Sequence, residues 1–152
     1  MEVQGLMVII NLMDIKENKE VILMSFSVTT KKARQLFAKA HLDGTPVPRI
    51  THIGWGDGGV DSGGSVLMPT EDLTQVQGEF RKTEVITSTL PTEDGMKVRF
   101  KSELHSDEST LGTKLSTCGI YDSEGNLIAV KNFTIKTLDE DTKFTVEWDE
   151  QF

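Results

Sequence analysis

The stretch LSTCGIYDSEGNLIAVKNFTI, residues 115–135, decides the fold. Two apolar runs rich in β-branched residues, Leu115–Tyr121 and Leu127–Ile135, flank the polar loop Asp122–Asn126. Gly125 in this loop can adopt the positive φ angle that a bulged hairpin needs. The pattern therefore predicts two antiparallel strands joined by a short turn.

Four other segments of the chain predict more strands. Phe144–Trp148 alternates apolar and polar residues, so its three apolar side chains are expected to face a core. Met96–Lys101 alternates in the same way after a strong turn. Gln75–Leu90 reads as one extended segment with a bulge at Gly78. Arg49–Gly56 predicts a short strand that enters a glycine-rich loop.

One helix is predicted before these strands. Thr29 or Thr30 is a suitable N-cap, and the helix is expected to run to about His41, where a Gly and two Pro residues follow. Its apolar residues repeat at i, i+3, i+4 and i+7, and they are Ala33, Leu36, Phe37 and Ala40. This stripe is expected to pack on the sheet.

The N-terminal region reads as a β-hairpin, with strands over Gly5–Leu12 and Glu20–Val28. Leu6–Ile10 is apolar without alternation, which favours burial on both faces or against a partner. Residues 1–23 are therefore interpreted as an N-terminal hairpin or docking arm, and residues 24–152 as a single domain. The fold class is α+β, a mostly antiparallel β-sheet or sandwich with one N-terminal amphipathic helix.

Composition excludes several classes of function. Sixteen Lys and Arg residues stand against twenty-four Asp and Glu, and the net charge of −8 disfavours nucleic acid and anionic membranes as partners. No apolar run approaches the roughly 18 residues that cross a bilayer. The only cysteine, Cys118, rules out an internal disulfide and is interpreted as a small, half-buried strand residue. No secretory signal is recognised, so synthesis in the cytosol is expected.

No metal or cofactor site is predicted. The three histidines His41, His52 and His105 lack metal-ligand spacing. The glycine-rich segment Gly54–Gly64 lacks the Lys-Ser or Lys-Thr of a phosphate-binding loop. A calcium site using Asp57, Asp61 and Ser62 is a weaker alternative, because the loop lacks regular acidic spacing.

Three segments, taken together, carry a family resemblance. They are TTKKARQLFAKA (29–40), ITHIGWGDGG (50–59) and CGIYDSEGNLIAV (118–130). In order and spacing they resemble the phage tail-collar fibre family, whose members attach a receptor-binding fibre or its adaptor to the tail baseplate. The resemblance implies a non-enzymatic structural component of a phage or phage-like tail, a baseplate or fibre attachment or adaptor protein. It also implies other tail proteins as partners, a homo-oligomer such as a trimer, and a place in the virion tail after synthesis in the bacterial host cytoplasm.

The candidate interface residues are Leu6, Val8, Ile10 and Trp55. Two alternatives to a structural role stay open at this point. A carbohydrate-binding β-sandwich would use Trp55 or Tyr121 as an exposed aromatic platform. A small hydrolase would use paired carboxylates from the acidic clusters at 103–108 and 139–141. No Gly-x-Ser-x-Gly motif is present, and no catalytic residue is assigned.

Overall fold

The computed structural model describes residues 3–13, 18–140 and 143–151, with side chains from residue 25 onward. Its elements, in chain order, are β1 (Val3–Met13), β2 (Asn18–Thr29), α1 (Lys31–Asp43), β3 (Ile50–Gly56), β4 (Glu79–Glu84), β5 (Thr87–Thr89), β6 (Lys97–His105), β7 (Lys114–Asp122), β8 (Leu127–Thr137) and β9 (Lys143–Gln151).

The strands form one antiparallel sheet in the order β4-β3-β7-β8-β2-β1-β9-β6-β5. β4 and β5 stand at opposite ends of this order although they follow each other in the chain. Between them the Val85 amide donates to the Thr51 carbonyl, and the Ile86 amide donates to the Lys101 carbonyl. The chain thus changes partner from β3 to β6, and the sheet closes into a barrel. The predicted α+β class is confirmed, with a single closed sheet.

Helix α1 begins and ends at strong local signals. Thr30 is its N-cap, and the hydroxyl accepts a hydrogen bond from the Ala33 amide at 3.1 Å while donating to the Leu127 carbonyl at 2.6 Å. The helix runs to Asp43, two residues beyond the predicted end. Gly44 then adopts a φ of 75° and its amide bonds back into the last turn.

The apolar stripe of α1 faces the barrel, as predicted. Ala33 is completely buried, and Leu36 and Phe37 pack against the core while remaining partly exposed. Ala40 is half-buried. The helix is therefore held to the barrel by a narrow apolar contact together with the Thr30 cap.

The hairpin of β7 and β8 and the alternation of β9 are confirmed. Gly125 in the turn has a φ of 82°, and Asp122 accepts the amides of Glu124 and Asn126 at 2.9 Å. The inward residues of β9 are at most 1% exposed; they are Phe144, Val146 and Trp148. They form one core with residues of β3, β6, β7 and β8.

The outer face of β3 and β7 is covered as well. Gly54 and Gly119 are direct cross-strand partners there. A Cβ atom on Gly54 would lie 2.6 Å from Tyr121 Cε2, and one on Gly119 would lie 2.8 Å from Val76 Cγ2. The Val76 amide donates to the Tyr121 hydroxyl at 2.9 Å, which fixes the loop of residues 69–77 on this face. The two glycines create the space that this loop needs.

The N-terminal hairpin takes part in the barrel wall between β8 and β9. β1 pairs with β2 along the whole of β1, from Val3↔Val28 to Met13↔Asn18. β2 pairs with β8 only over Ser25–Thr29, and β1 pairs with β9 only over Ile10–Met13. The connecting residues 14–17 lie outside the described part of the chain.

Candidate assembly interface

Three of the interface positions predicted from the sequence lie on β1. The backbones of Leu6, Val8 and Ile10 are paired with Ser25, Leu23 and Val21 of β2, and Ile10 also meets Val146 of β9. They occupy alternate positions of one strand. Their side chains lie outside the described part of the molecule.

Trp55, the fourth predicted position, lies in the core of its own chain. Its side chain is 0% exposed, so it offers no surface to a partner or a sugar. The indole Nε1 donates to Thr83 Oγ1 at 2.7 Å, and that hydroxyl is 2.6 Å from Ser102 Oγ, which donates to the Glu84 carbonyl at 2.8 Å. These bonds link β3, β4 and β6 where the barrel closes, so Trp55 has a structural role here.

Tyr121 is also unsuited to a sugar platform, because it is only 2% exposed beneath the loop of residues 69–77. Burial raises the pKa of its phenol above the ordinary value. Lys82 Nζ lies 4.1 Å from the ring centroid and covers it further. Neither aromatic residue named for the carbohydrate-binding alternative is available to a ligand.

The barrel interior contains a charged group, Lys131, that no motif in the sequence predicts. Lys131 is 4% exposed, and its Nζ lies 4.2 Å from the centroid of the Trp148 ring. Trp148 Nε1 in turn donates to Glu150 Oε2 at 2.7 Å. Burial lowers the pKa of Lys131 and raises that of Glu150, and the attraction between the two charges opposes both changes. The alternation of residues along β8 could have indicated that Lys131 is buried, because it lies two residues from the buried Phe133 and so on the same face of the strand.

An apolar cleft of about 280 Å³ opens between α1, the start of β3 and the β5–β6 hairpin. Apart from Arg49 and Ser88 its lining is apolar, and the lining residues are Phe37, Val47, Pro48, Ile50, Val98, Phe100 and Ile128. Leu90 and Met96, two residues along from Ser88 and Val98, are 65% and 56% exposed. The cleft and these neighbours form an exposed apolar surface of the kind that proteins use for contact. Periodicity did not reveal it, because it combines residues from four separate segments.

In the acidic cluster at 103–108, two carboxylates take part in structural bonds of the folded chain. Hydrogen bonds from Arg81 and Ser109 lower the pKa of Asp107, which also accepts the amides of Ser109 and Thr110 in a turn. Burial alone would raise the pKa of Glu103, but bonds and charge from Lys143 lower it overall. A general acid in glycoside hydrolysis needs a raised pKa, which neither group has. Asp141 lies outside the described residues.

Across residues 3–13, 18–140 and 143–151, no three His, Cys, Asp or Glu side chains form a metal-binding group. In the glycine-rich loop, Asp61 Oδ1 accepts the amides of Gly63 and Ser65 at 2.9 Å, so this carboxylate stabilises its own turn. Burial raises the pKa of the Cys118 thiol to about 12, as expected for an inert core cysteine. No helix in the described part is long and apolar enough to span a membrane.

Within the described residues, these features define a class of protein: a closed antiparallel barrel with one helix, a partly buried hydrogen-bond network at its seam and an exposed apolar surface. The family model of the phage tail-collar fibre protein, N-terminal, matches residues 24–143. The chain belongs to this family, which confirms the resemblance seen in the sequence and gives the chain a structural role in phage tails. Searches of curated proteins and of solved structures gave no match.

Proposed function

We propose that the chain is an attachment or adaptor protein of a phage or phage-like tail, which joins its neighbours through the N-terminal arm. The arm is defined here as residues 3–23 of β1 and β2, and the body as the rest of the described chain. The proposed interface positions are Leu6, Val8 and Ile10. Other tail structural proteins are the proposed partners, and the virion tail is the proposed location.

The coincidence of two boundaries carries this proposal. The family match begins at residue 24, and the ladder between β2 and β8 begins at Ser25. Residues 18–24 of β2 have no ladder with β8 in the described structure. Without the arm, β2 keeps its ladder with β8 and β9 keeps its ladder with β6, and strand addition is a common way for such a segment to bind.

The experiment compares the full chain with a chain that lacks residues 1–23. The truncated chain is expected to give a cooperative melt and an unchanged β-rich circular dichroism spectrum, but not to enter tails assembled from a complete set of tail genes. Unfolding or aggregation of the truncated chain would show that the arm is part of the core and would refute docking. Incorporation at the normal level would refute it equally.

Point variants test the docking contact of the arm without removing any part of the chain. Val8→Lys in the arm is expected to reduce incorporation at least tenfold, because a buried charge in an apolar interface is costly. Leu111→Lys is the matched control, since Leu111 is 46% exposed in a loop of the body, outside the arm. Equal incorporation of both variants would contradict the assignment of the arm as the interface.

A further inference from the structure

Another opening lies at the barrel seam, beside the apolar cleft. It has a volume of about 380 Å³ and is lined by residues 49–52, which lead into β3, and by residues 84–88, which connect β4 with β5. We term it the seam notch. Arg49, Ile50 and Ser88 line both cavities, so the apolar cleft and the seam notch adjoin and form one groove on the body of the chain.

The seam notch contains strand backbone that has no partner strand. β5 pairs with β6 over Thr87–Thr89 and stands at the end of the strand order, so its other edge has no ladder among the described strands. On the opposite side of the notch, β3 pairs with β7 from Ile50, but its ladder with β4 begins only at His52. Unpaired strand edges are templates for a further strand. The groove therefore suits an extended peptide, whose backbone can bond to such an edge.

The apolar cleft lies where the side chains of an added strand would point. Ser88 on β5 is the register partner of Phe100 on β6, and both residues line the cleft. Val98 lies two residues from Phe100 and lines the cleft as well, which places it on the same face of β6. Alternate side chains of a strand added to β5 would share this face and reach the cleft. Apolar residues at these alternate positions would be buried there.

Charge adds a second requirement on the peptide. Arg49 is exposed at the junction of the two cavities, and among the described residues its guanidinium has no ion-pair partner, whereas each of the other three arginines binds a carboxylate. No other charged residue of the described chain lines the apolar cleft. Glu84 lines the notch at its closed end, where it pairs with His52. A peptide carboxylate close to the cleft would gain a charge-assisted bond to Arg49.

We propose that this groove binds an extended segment of a partner protein, which adds to the free edge of β5 as a further strand. An apolar side chain of the segment occupies the apolar cleft, and an Asp or Glu close to it bonds to Arg49. Strand addition combines backbone hydrogen bonds with pockets for alternate side chains, and the groove offers both. The site belongs to the body, so it goes beyond the docking of the arm and gives the chain a second contact with its neighbours.

The test uses a displayed library of random linear peptides of about ten residues, selected on the full chain, which is long enough to span the edge and both cavities. The enriched peptides are expected to combine alternating apolar residues with an Asp or Glu. Their affinity is then measured by fluorescence anisotropy with labelled synthetic peptides. Arg49→Glu should weaken binding about tenfold or more, and exchange of the peptide's acidic residue for Lys should restore it. Lys114→Glu is the matched control at an exposed position of β7 and should leave the affinity within about twofold.

A second pair of variants tests the apolar cleft. Val47 lines the cleft and is 41% exposed, so Val47→Asp is expected to fold normally but to weaken peptide binding about tenfold or more. Leu67→Asp is its control, because Leu67 is 39% exposed and lines neither cavity. The melting temperature of each variant shows that the fold is kept. Equal affinities of the Val47 and Leu67 variants would contradict the placement of the peptide in the cleft.

N-methylated peptides test the backbone bonds, because a methyl group removes an amide donor. The amides of a strand point to its two edges alternately. Methyl groups on one alternate set of the peptide's residues should therefore abolish binding, and methyl groups on the other set should be tolerated. Tolerance of both sets would refute strand addition.

Failure to enrich any peptide would overturn the proposal, and so would equal affinity of the enriched peptides for Arg49→Glu and for the wild type. Each measurement uses the full chain with a synthetic peptide. The result is therefore independent of whether the arm docks in tails, and the two proposals can fail separately.

Discussion

The hydrogen-bond network at the barrel seam gives a quantitative prediction. Thr83→Val conserves side-chain volume but removes the acceptor of the Trp55 indole N–H, which lies in a completely buried side chain. A buried donor left unpaired costs about 1–3 kcal/mol. Ser102 keeps its bond to the Glu84 carbonyl, so we take the middle of that range. The free energy of unfolding should fall by about 2 kcal/mol, or about 4–8 °C in melting temperature for a domain of this size.

Urea denaturation followed by tryptophan fluorescence and by circular dichroism measures this change. Thr89→Val is the matched control, because Thr89 is exposed on β5 close to the same seam, and its effect should stay within about 0.5 kcal/mol. In a Trp55→Phe background, Thr83→Val should cost about 1 kcal/mol less than in the wild type, because the donor is gone. A cost below about 0.5 kcal/mol in the wild type, or an equal cost in both backgrounds, would refute the reasoning.

Three further predictions concern the helix, the interior charges and the thiol. Phe37→Ala should lower the free energy of unfolding by about 1.5–3 kcal/mol in chemical denaturation, which is less than for a fully buried Phe because the ring is partly exposed. Leu42→Ala is the control and should change the free energy of unfolding little, since Leu42 is 85% exposed. Burial raises the pKa of the Glu150 carboxyl above 4.5 in the folded chain, so the folded state binds this proton more tightly than the unfolded state. The folded state should therefore lose stability as the pH rises from 4.5 through the folded pKa, and Glu150→Gln should remove that loss. Equal pH profiles of the unfolding free energy for variant and wild type would contradict this prediction. Because burial raises the pKa of Cys118 to about 12, a thiol-reactive dye should label it only after unfolding, and rapid native labelling at pH 7.5 would show an exposed thiol.

Local signals explain what could be predicted from the sequence. The Thr30 cap, the stripe from Ala33 to Ala40 and the turn at Gly125 depend on neighbours within a few residues, and all three were found. Alternation in β9 placed its apolar residues correctly because the core covers one face of that strand along most of its length.

Long-range packing explains what could not be predicted. The sequence predicts one extended segment over Gln75–Leu90 with a bulge at Gly78, but β4 spans Glu79–Glu84, β5 spans Thr87–Thr89, and Val76 precedes both in a covering loop. The break between β4 and β5 lies where the strand that pairs with the chain changes from β3 to β6. The periodicity of one segment does not indicate which strands it will pair with. Trp55 and Tyr121 were considered as exposed rings for a related reason: β3 and β7 are buried on both faces, and the loop that covers the outer face is distant in sequence.

The facing glycines of β3 and β7 have a consequence for mutational tolerance. Glycine is unfavourable in the middle of a strand, and a residue such as Val or Thr would ordinarily stabilise the sheet there. At positions 54 and 119 the opposite holds, because even the single methyl of alanine would come within 2.8 Å of Tyr121 or Val76 and displace the covering loop. A saturation library selected for folding should therefore return glycine at both positions, although neither contributes a side chain to the core.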